Sequence, residues 1–152
     1  MGQQQLLLLV LGIVIVGLAV VVGIEAFSEN QKKANSDAMV NDGIRIASDA
    51  QAWKLKPQAF GGGASASGFT GVTFNQLGYT PNSSGNYDNL NGEFVVTTAN
   101  ASSLVLTGSN TVNSNYVRVG VYGTTPECIV TSIASSTSDL SVSNPDATNC
   151  TL

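Results

Sequence analysis

Residues 6–24 read LLLLVLGIVIVGLAVVVGI, nineteen consecutive positions with no charge and no side-chain hydrogen-bonding group. As a helix rising about 1.5 Å per residue, the run covers ~28 Å, close to the thickness of a bilayer's hydrocarbon layer. In lipid a single segment satisfies its backbone only as a helix, so the run predicts a membrane-crossing helix to which the rest of the chain is appended.

The flanks sharpen this expectation. Signal peptides and signal anchors carry Lys or Arg before the apolar run, whereas here Met1, Gly2, Gln3, Gln4 and Gln5 precede it. After the run, Glu25, Ala26, Phe27, Ser28 and Glu29 offer no small-x-small cleavage site and continue in helix-compatible sequence. The apolar segment is therefore expected to be retained, with a short basic leader removed ahead of it. An uncleaved anchor and an incomplete sequence are the alternatives.

Removing 24 of the 152 residues leaves 128, enough for one modest globular head. Six Lys and Arg face ten Asp and Glu, so the head lacks the basic field that nucleic-acid binding requires, and no nucleic-acid partner is expected. Histidine is absent and the only cysteines are Cys128 and Cys150. Two cysteines without histidine make a poor zinc site, and beside a membrane-crossing segment they point to an exported disulfide; two buried free thiols are the alternative.

From residue 25 to 56 the sequence stays helical but changes solvent. Small or apolar residues recur at Ala26, Phe27, Ala34, Ala38, Met39, Ile44, Ala47, Ala50 and Trp53, mostly three or four apart, which is an amphipathic stripe. Arg45, Lys54 and Lys56 lie toward the end, where the helix dipole favours cations, and Pro57 stops the helix. The whole would be one helix of roughly 50 residues and about 80 Å, longer than a small domain can cover, so half is expected to project. Gly12, Gly17, Gly23 and Gly43 interrupt it at about 1 kcal/mol each relative to Ala. They permit close helix packing in a membrane, or, at Gly17 and Gly23, mark a stretch that melts when the helix leaves lipid for a packed assembly.

Residues 57–92 form a long Gly-, Ser- and Asn-rich connection whose aromatics Phe60, Phe69, Phe74, Tyr79 and Tyr87 are expected to pin it to the head. The period then changes to two. Residues 93–98 (EFVVTT), 102–107 (SSLVLT), 116–122 (YVRVGVY) and 128–133 (CIVTSI) predict four strands in an antiparallel meander. A polar tail follows, hooked by Leu140 and Val142, with Cys150 positioned to staple it to the strand carrying Cys128. The fold class is thus α+β: a long N-terminal helix whose C-terminal half packs on a small antiparallel sheet. Its parts are the apolar half-helix 1–24, the amphipathic half-helix 25–56, the connection 57–92 and the sheet with its closing segment 93–152.

An apolar run starting at the sixth position, a helix continuing to Trp53, a loop, a four-strand sheet and a cysteine pair closing the last segment resemble a mature type IV pilin. The likeness covers the full length in layout, and its specific motif lies in the N-terminal quarter alone. It implies a leader removed by a prepilin peptidase, N-methylation at Met1, and an inner-membrane assembly machinery as partner before assembly. The family usually has a glutamate at the fifth position, pairing with a neighbour's N-terminal amine. Here Gln5 keeps a hydrogen-bonding amide and loses the charge, which admits a bacterial or an archaeal-type subunit.

The assembly also follows from physics. At about 25 cal/mol per Å² and on the order of 100 Å² per residue, exposing the apolar half to water costs tens of kcal/mol as an upper bound. Copies of the same helix are the natural cover, with Gln5, Leu6, Leu9, Ile13, Val16 and Val20 as expected contact residues. Heterologous contacts that do not close generate an open helical filament. The expected location is an extracellular pilus, with the cytoplasmic membrane holding the unassembled precursor. The runners-up are a pseudopilin of a type II secretion system and a membrane-anchored carbohydrate-binding or adhesive module.

Nothing in the sequence points to catalysis. Without histidine, Ser-His and Cys-His pairs and His metal ligands are excluded, and the acids are scattered without a recognisable pair, so neither catalytic residues, metal nor cofactor is expected. Three sequons, at Asn82, Asn100 and Asn149, are candidate glycosylation sites.

Overall fold

The computed structural model describes residues 2–152; the predicted processing position Met1 lies outside them. The chain divides into two compact units, one ending at Ala34 and the other running from Asn35 to Leu152. A single helix, α1 (Gly2–Leu55), supplies all of the first and the start of the second.

Within the second unit, α1 lies against a five-stranded sheet. The strands are β1 (Tyr87–Asp88), β2 (Glu93–Ala99), β3 (Leu104–Asn110), β4 (Asn115–Val121) and β5 (Ile129–Ala134), ordered β1-β2-β3-β4-β5 with every neighbour antiparallel. The expected α+β meander is present, with one strand more than the four predicted: β1 is two residues long, too short to show a period. The second predicted strand lies two to three residues further on, because its hairpin pairs as far as Asn110 with Asn115 and turns tightly at Ser114, whose φ is 52°.

The core forms between the face of α1 bearing Met39, Ile46, Ala47, Ala50 and Trp53 and the sheet face bearing Phe94, Leu104, Leu106, Val117, Val119 and Val121. Register explains the match. Leu104 pairs with Val121, Leu106 with Val119 and Gly108 with Val117, so alternate residues of adjacent strands share one face. Gly108 leaves space for the Phe94 ring: a Cβ there would stand 2.8 Å from it. The predicted stripe packs only from Ala38 onward: Ala26, Phe27 and Ala34, expected to belong to the packed half, are exposed, and within the packed part it is displaced at one place. Ile44 is half-exposed and Ile46 takes the buried position, because Ser36, Gly43 and Gln51 also belong to the packed face.

The helix ends at Leu55, before Lys56 and Pro57. Its last carbonyls are taken up by the turn that follows, with Gly63 N donating to Trp53 O at 2.8 Å and Ala64 N to Lys56 O at 3.2 Å. Phe69 and Phe74 anchor the connection in the core, and Tyr79 and Tyr87 pack on it half-buried. Phe60 does not pin the loop: it sits in an exposed 3-10 turn, Gln58–Phe60, with 72% of its surface in solvent. The tail forms a third layer on the sheet face away from α1. Leu140 is buried, Arg118 Nη1 donates to its carbonyl at 2.6 Å, and Gly120 leaves room for Val142 and Tyr122.

Candidate functional site

The described residues of the first unit, 2–34, are all helical and all exposed. Every large apolar side chain from Leu6 to Ile24 is between 50% and 67% exposed. The most apolar 18-residue window has a mean hydropathy of 3.2, and none of it is buried. This is one helix long and apolar enough to cross a membrane. Apolar residues occupy its whole circumference, the pattern of a helix surrounded on all sides.

Leu6, Leu9, Ile13, Val16 and Val20 lie on one stripe at alternating spacings of three and four, and Gln5 is exposed beside it. Leu7, Leu8, Val10, Leu11, Val14, Ile15 and Leu18 are as open, so burial singles out no face. Gly12, Gly17 and Gly23 have open space where a Cβ would stand, so no contact within the chain requires glycine there. The helix is continuous through Gly17 and Gly23, including the β-branched run between them.

In the second unit the polar groups act as fasteners. Asp42 Oδ2 accepts from Asn89 Nδ2 at 2.9 Å and Asn91 Nδ2 at 2.7 Å, and Asn35 Nδ2 donates to Asn91 O at 2.9 Å, tying α1 to the segment ahead of β2. At the other end, Gln51 holds the β4–β5 loop and Lys54 Nζ donates to the carbonyls of Gly63 and Ala66. Tyr79 donates its hydroxyl hydrogen to Asp49, and Arg45 lies over its ring at 5.5 Å from the centroid. Burial, and then the bond to Asp49, push the Tyr79 phenol up to about 12. Sequence reasoning missed Gln51, Arg118 and this asparagine network. A glutamine four places along from the buried Ala47 was the only legible signal.

Cys128 and Cys150 are joined in a disulfide, Cα–Cα 5.4 Å, and both are buried. Cys128 closes a 3-10 turn, Pro126–Cys128, immediately ahead of β5, so the staple reaches a loop rather than the strand that the sequence suggested. Gly123 accommodates it: a Cβ there would meet Cys128 Sγ at 2.9 Å.

The three sequons have different surroundings. Asn82 Nδ2 donates to Glu93 Oε1 at 3.1 Å, and Asn149 Nδ2 donates to Asp146 Oδ2 at 2.6 Å. Asn100, between β2 and β3, uses its Oδ1 as acceptor for the amides of Ser102 and Ser103. Hydrogen bonds from Asn86 and Asn82 hold the Glu93 carboxyl below its ordinary range, and the Thr148 amide, then Asn149, do the same for Asp146. Among the described residues no three His, Cys, Asp or Glu side chains gather as a metal site would require.

The layout, a long apolar-to-amphipathic helix packed on a small antiparallel sheet, is type IV pilin-like. In comparisons with protein-family models, curated proteins and solved structures, the chain matches none.

Proposed function

We propose that this chain is the repeating structural subunit of an extracellular type IV pilus-like filament, held together by packing of residues 6–24 against copies of the same segment. The observation that carries the reading is the wholly uncovered apolar run, of which no part is buried within the chain. Such a surface needs either lipid or protein around it. A membrane covers it in the precursor, where the assembly machinery and prepilin peptidase would act, and neighbouring helices cover it in the filament. The head supports an exposed life outside the cell: its charge is low, its cysteines are paired, and its surface is rich in Ser, Thr and Asn. A pseudopilin would share the same helix and sheet.

The anchored carbohydrate-binding module has one feature in its favour, a cavity of about 290 Å³ lined by Trp53, Gln58, Gly62, Ser65, Thr70 and Gln76 among others. Trp53 is only 7% exposed, however, so the ring on which a sugar would stack is largely covered. This favours the filament.

The test is electron microscopy of material sheared from the native cells, with mass spectrometry of its main component. Long filaments made of this chain, with Cys128 and Cys150 joined, would support the reading. Recovery only as detergent-solubilised single subunits would overturn it.

A further inference from the structure

Asparagine glycosylation joins the side-chain nitrogen to C1 of a saccharide carried on a lipid phosphate or pyrophosphate. The Nδ2–C1 bond forms, the C1–O bond breaks, the lipid phosphate leaves with the electron pair, and a proton from Nδ2 passes to a base on the transferase. The acceptor nitrogen must therefore be accessible and not already donating to a carboxylate. Two of the three sequons fail this condition in the folded chain, Asn82 through Glu93 at 3.1 Å and Asn149 through Asp146 at 2.6 Å. Asn149 also precedes the buried, disulfide-bonded Cys150.

Asn100 meets it. Residues 100–102 are exposed at the turn between β2 and β3. The backbone of Asn100 is fixed by Phe69 N donating to its carbonyl at 2.9 Å and by its own N donating to Ser103 O at 3.0 Å. Its Oδ1 accepts from Ser102 N at 3.0 Å and Ser103 N at 2.8 Å, with the hydroxyls of both serines at 3.2 Å. Bonds received by the amide oxygen draw electron density from the nitrogen and make its N–H more acidic, while Nδ2 itself stays undonated. The hydroxyl of the sequon's third residue, Ser102, is already folded back onto the acceptor amide.

We infer that Asn100 is the glycosylated sequon of this chain, accepting a lipid-phosphate-linked saccharide, and that Asn82 and Asn149 are not modified. The inference rests on the proposed exposure of the head outside the membrane. It is tested on protein from the native cells, digested with chymotrypsin without reduction and read by mass spectrometry. Cleavage after Phe94 and Leu104 separates Asn100 from Asn82, and the same run reports whether Cys128 and Cys150 are joined. The expected result is a saccharide increment on the Asn100 peptide alone, abolished by Asn100→Gln and by Ser102→Ala and unchanged by Asn82→Gln. Ser102→Ala retains the asparagine and its backbone bonds, so loss there reports the sequon rather than a misfolded turn. A bare Asn100 with the disulfide formed, or a saccharide on Asn82 or Asn149 instead, overturns the assignment and leaves the filament reading standing. A bare Asn100 with both thiols free overturns both.

Discussion

Gly43 of α1 lies so close to Val119 of β4 that a Cβ built on it would stand 2.7 Å from Val119 Cγ2. Helix and sheet approach closely here, which explains a glycine in a helix interior that otherwise costs about 1 kcal/mol relative to Ala. Gly43→Ala trades that propensity gain against overpacking of a stiff, buried valine, with a net loss of ~1–2 kcal/mol expected. Adding Val119→Ala should return part of it, so the double variant loses less than the sum of the two single ones. Denaturant unfolding in mild detergent, followed by the fluorescence of the sole tryptophan, Trp53, measures this; strict additivity would show that the two residues do not compete for space.

Gln51 is the second clamp. Its Nε2 donates to Gly123 O at 2.8 Å and to Thr125 O at 2.7 Å, holding the loop that leads to Cys128. Gln51→Leu keeps the volume and removes both N–H donors, leaving the buried Gly123 carbonyl unpaired while Thr125 O keeps the Cys128 amide at 3.1 Å. About 1–3 kcal/mol of stability should be lost, read as a lower unfolding midpoint at unchanged denaturant slope. A change below ~0.5 kcal/mol would mean that water satisfies these carbonyls as well as Gln51 does.

These two residues also show what the sequence conceals. The helix was legible because the apolar run is long enough to cross lipid and the stripe from Met39 to Trp53 has a helical period, and four of the strands were legible by alternation. The phase of the stripe was not, since a glycine and a glutamine sit on the packed face while Ile44 is half-exposed, and residue type alone cannot report which neighbour a position meets. The edge strand β1 exists only because Tyr87 and Asp88 pair with Phe94 and Glu93, a non-local fact. Nor could the sequons be ranked from their letters, as the Glu93 and Asp146 bonds that occupy Asn82 and Asn149 arise only in the folded head.

Stability should fall at both pH extremes for identifiable reasons. The Tyr79 phenol is raised from 10.0 to about 12 by burial and the Asp49 bond, so folding favours its neutral form. Its contribution is complete below pH 10 and is lost as pH rises toward 12; solvent screening of a half-exposed ring limits it to ~1 kcal/mol. Tyr79→Phe should flatten that alkaline limb while costing ~1 kcal/mol at neutral pH through the lost hydrogen bond. On the acid side, Glu93 is lowered from its ordinary 4.5, so its contribution is present above that value and disappears as pH falls through the folded one. Glu93→Gln should remove part of the acid slope. Unfolding midpoints measured across both limbs decide it, and unchanged slopes in both variants would refute the assignment.

The disulfide fastens the tail layer. Cys128 and Cys150 are 22 residues apart, and closing such a loop stabilises the chain by ~3 kcal/mol in the chain-entropy account. Reduction, or Cys150→Ser, should lower the unfolding midpoint accordingly and expose the tail to proteolysis, because its remaining anchors are few: buried Leu140, Val142 beside Gly120 and the Arg118 bond to the Leu140 carbonyl. Cleavage after residue 135 should precede loss of Trp53 burial. If reduction leaves the tail resistant, those anchors suffice without the disulfide.

The filament reading makes its sharpest demand at Ile13, which is 65% exposed in the chain and lies midway along the apolar run. It belongs to the first unit and not to the unit that carries the sheet, so Ile13→Arg should leave the unfolding midpoint of the head unchanged within ~0.5 kcal/mol. A guanidinium near the centre of an apolar helix costs about 2.5–3.5 kcal/mol on membrane-insertion scales, and in a bundle of identical helices that penalty recurs in every subunit. The variant should therefore reach the membrane fraction in reduced amount with an intact disulfide and yield no filaments under the electron microscope. Ile13→Val, which changes one methylene, should assemble normally. Filaments of normal length from Ile13→Arg would show that this stretch faces water or lipid rather than its own copies, and the packing of residues 6–24 could no longer be what holds the assembly together.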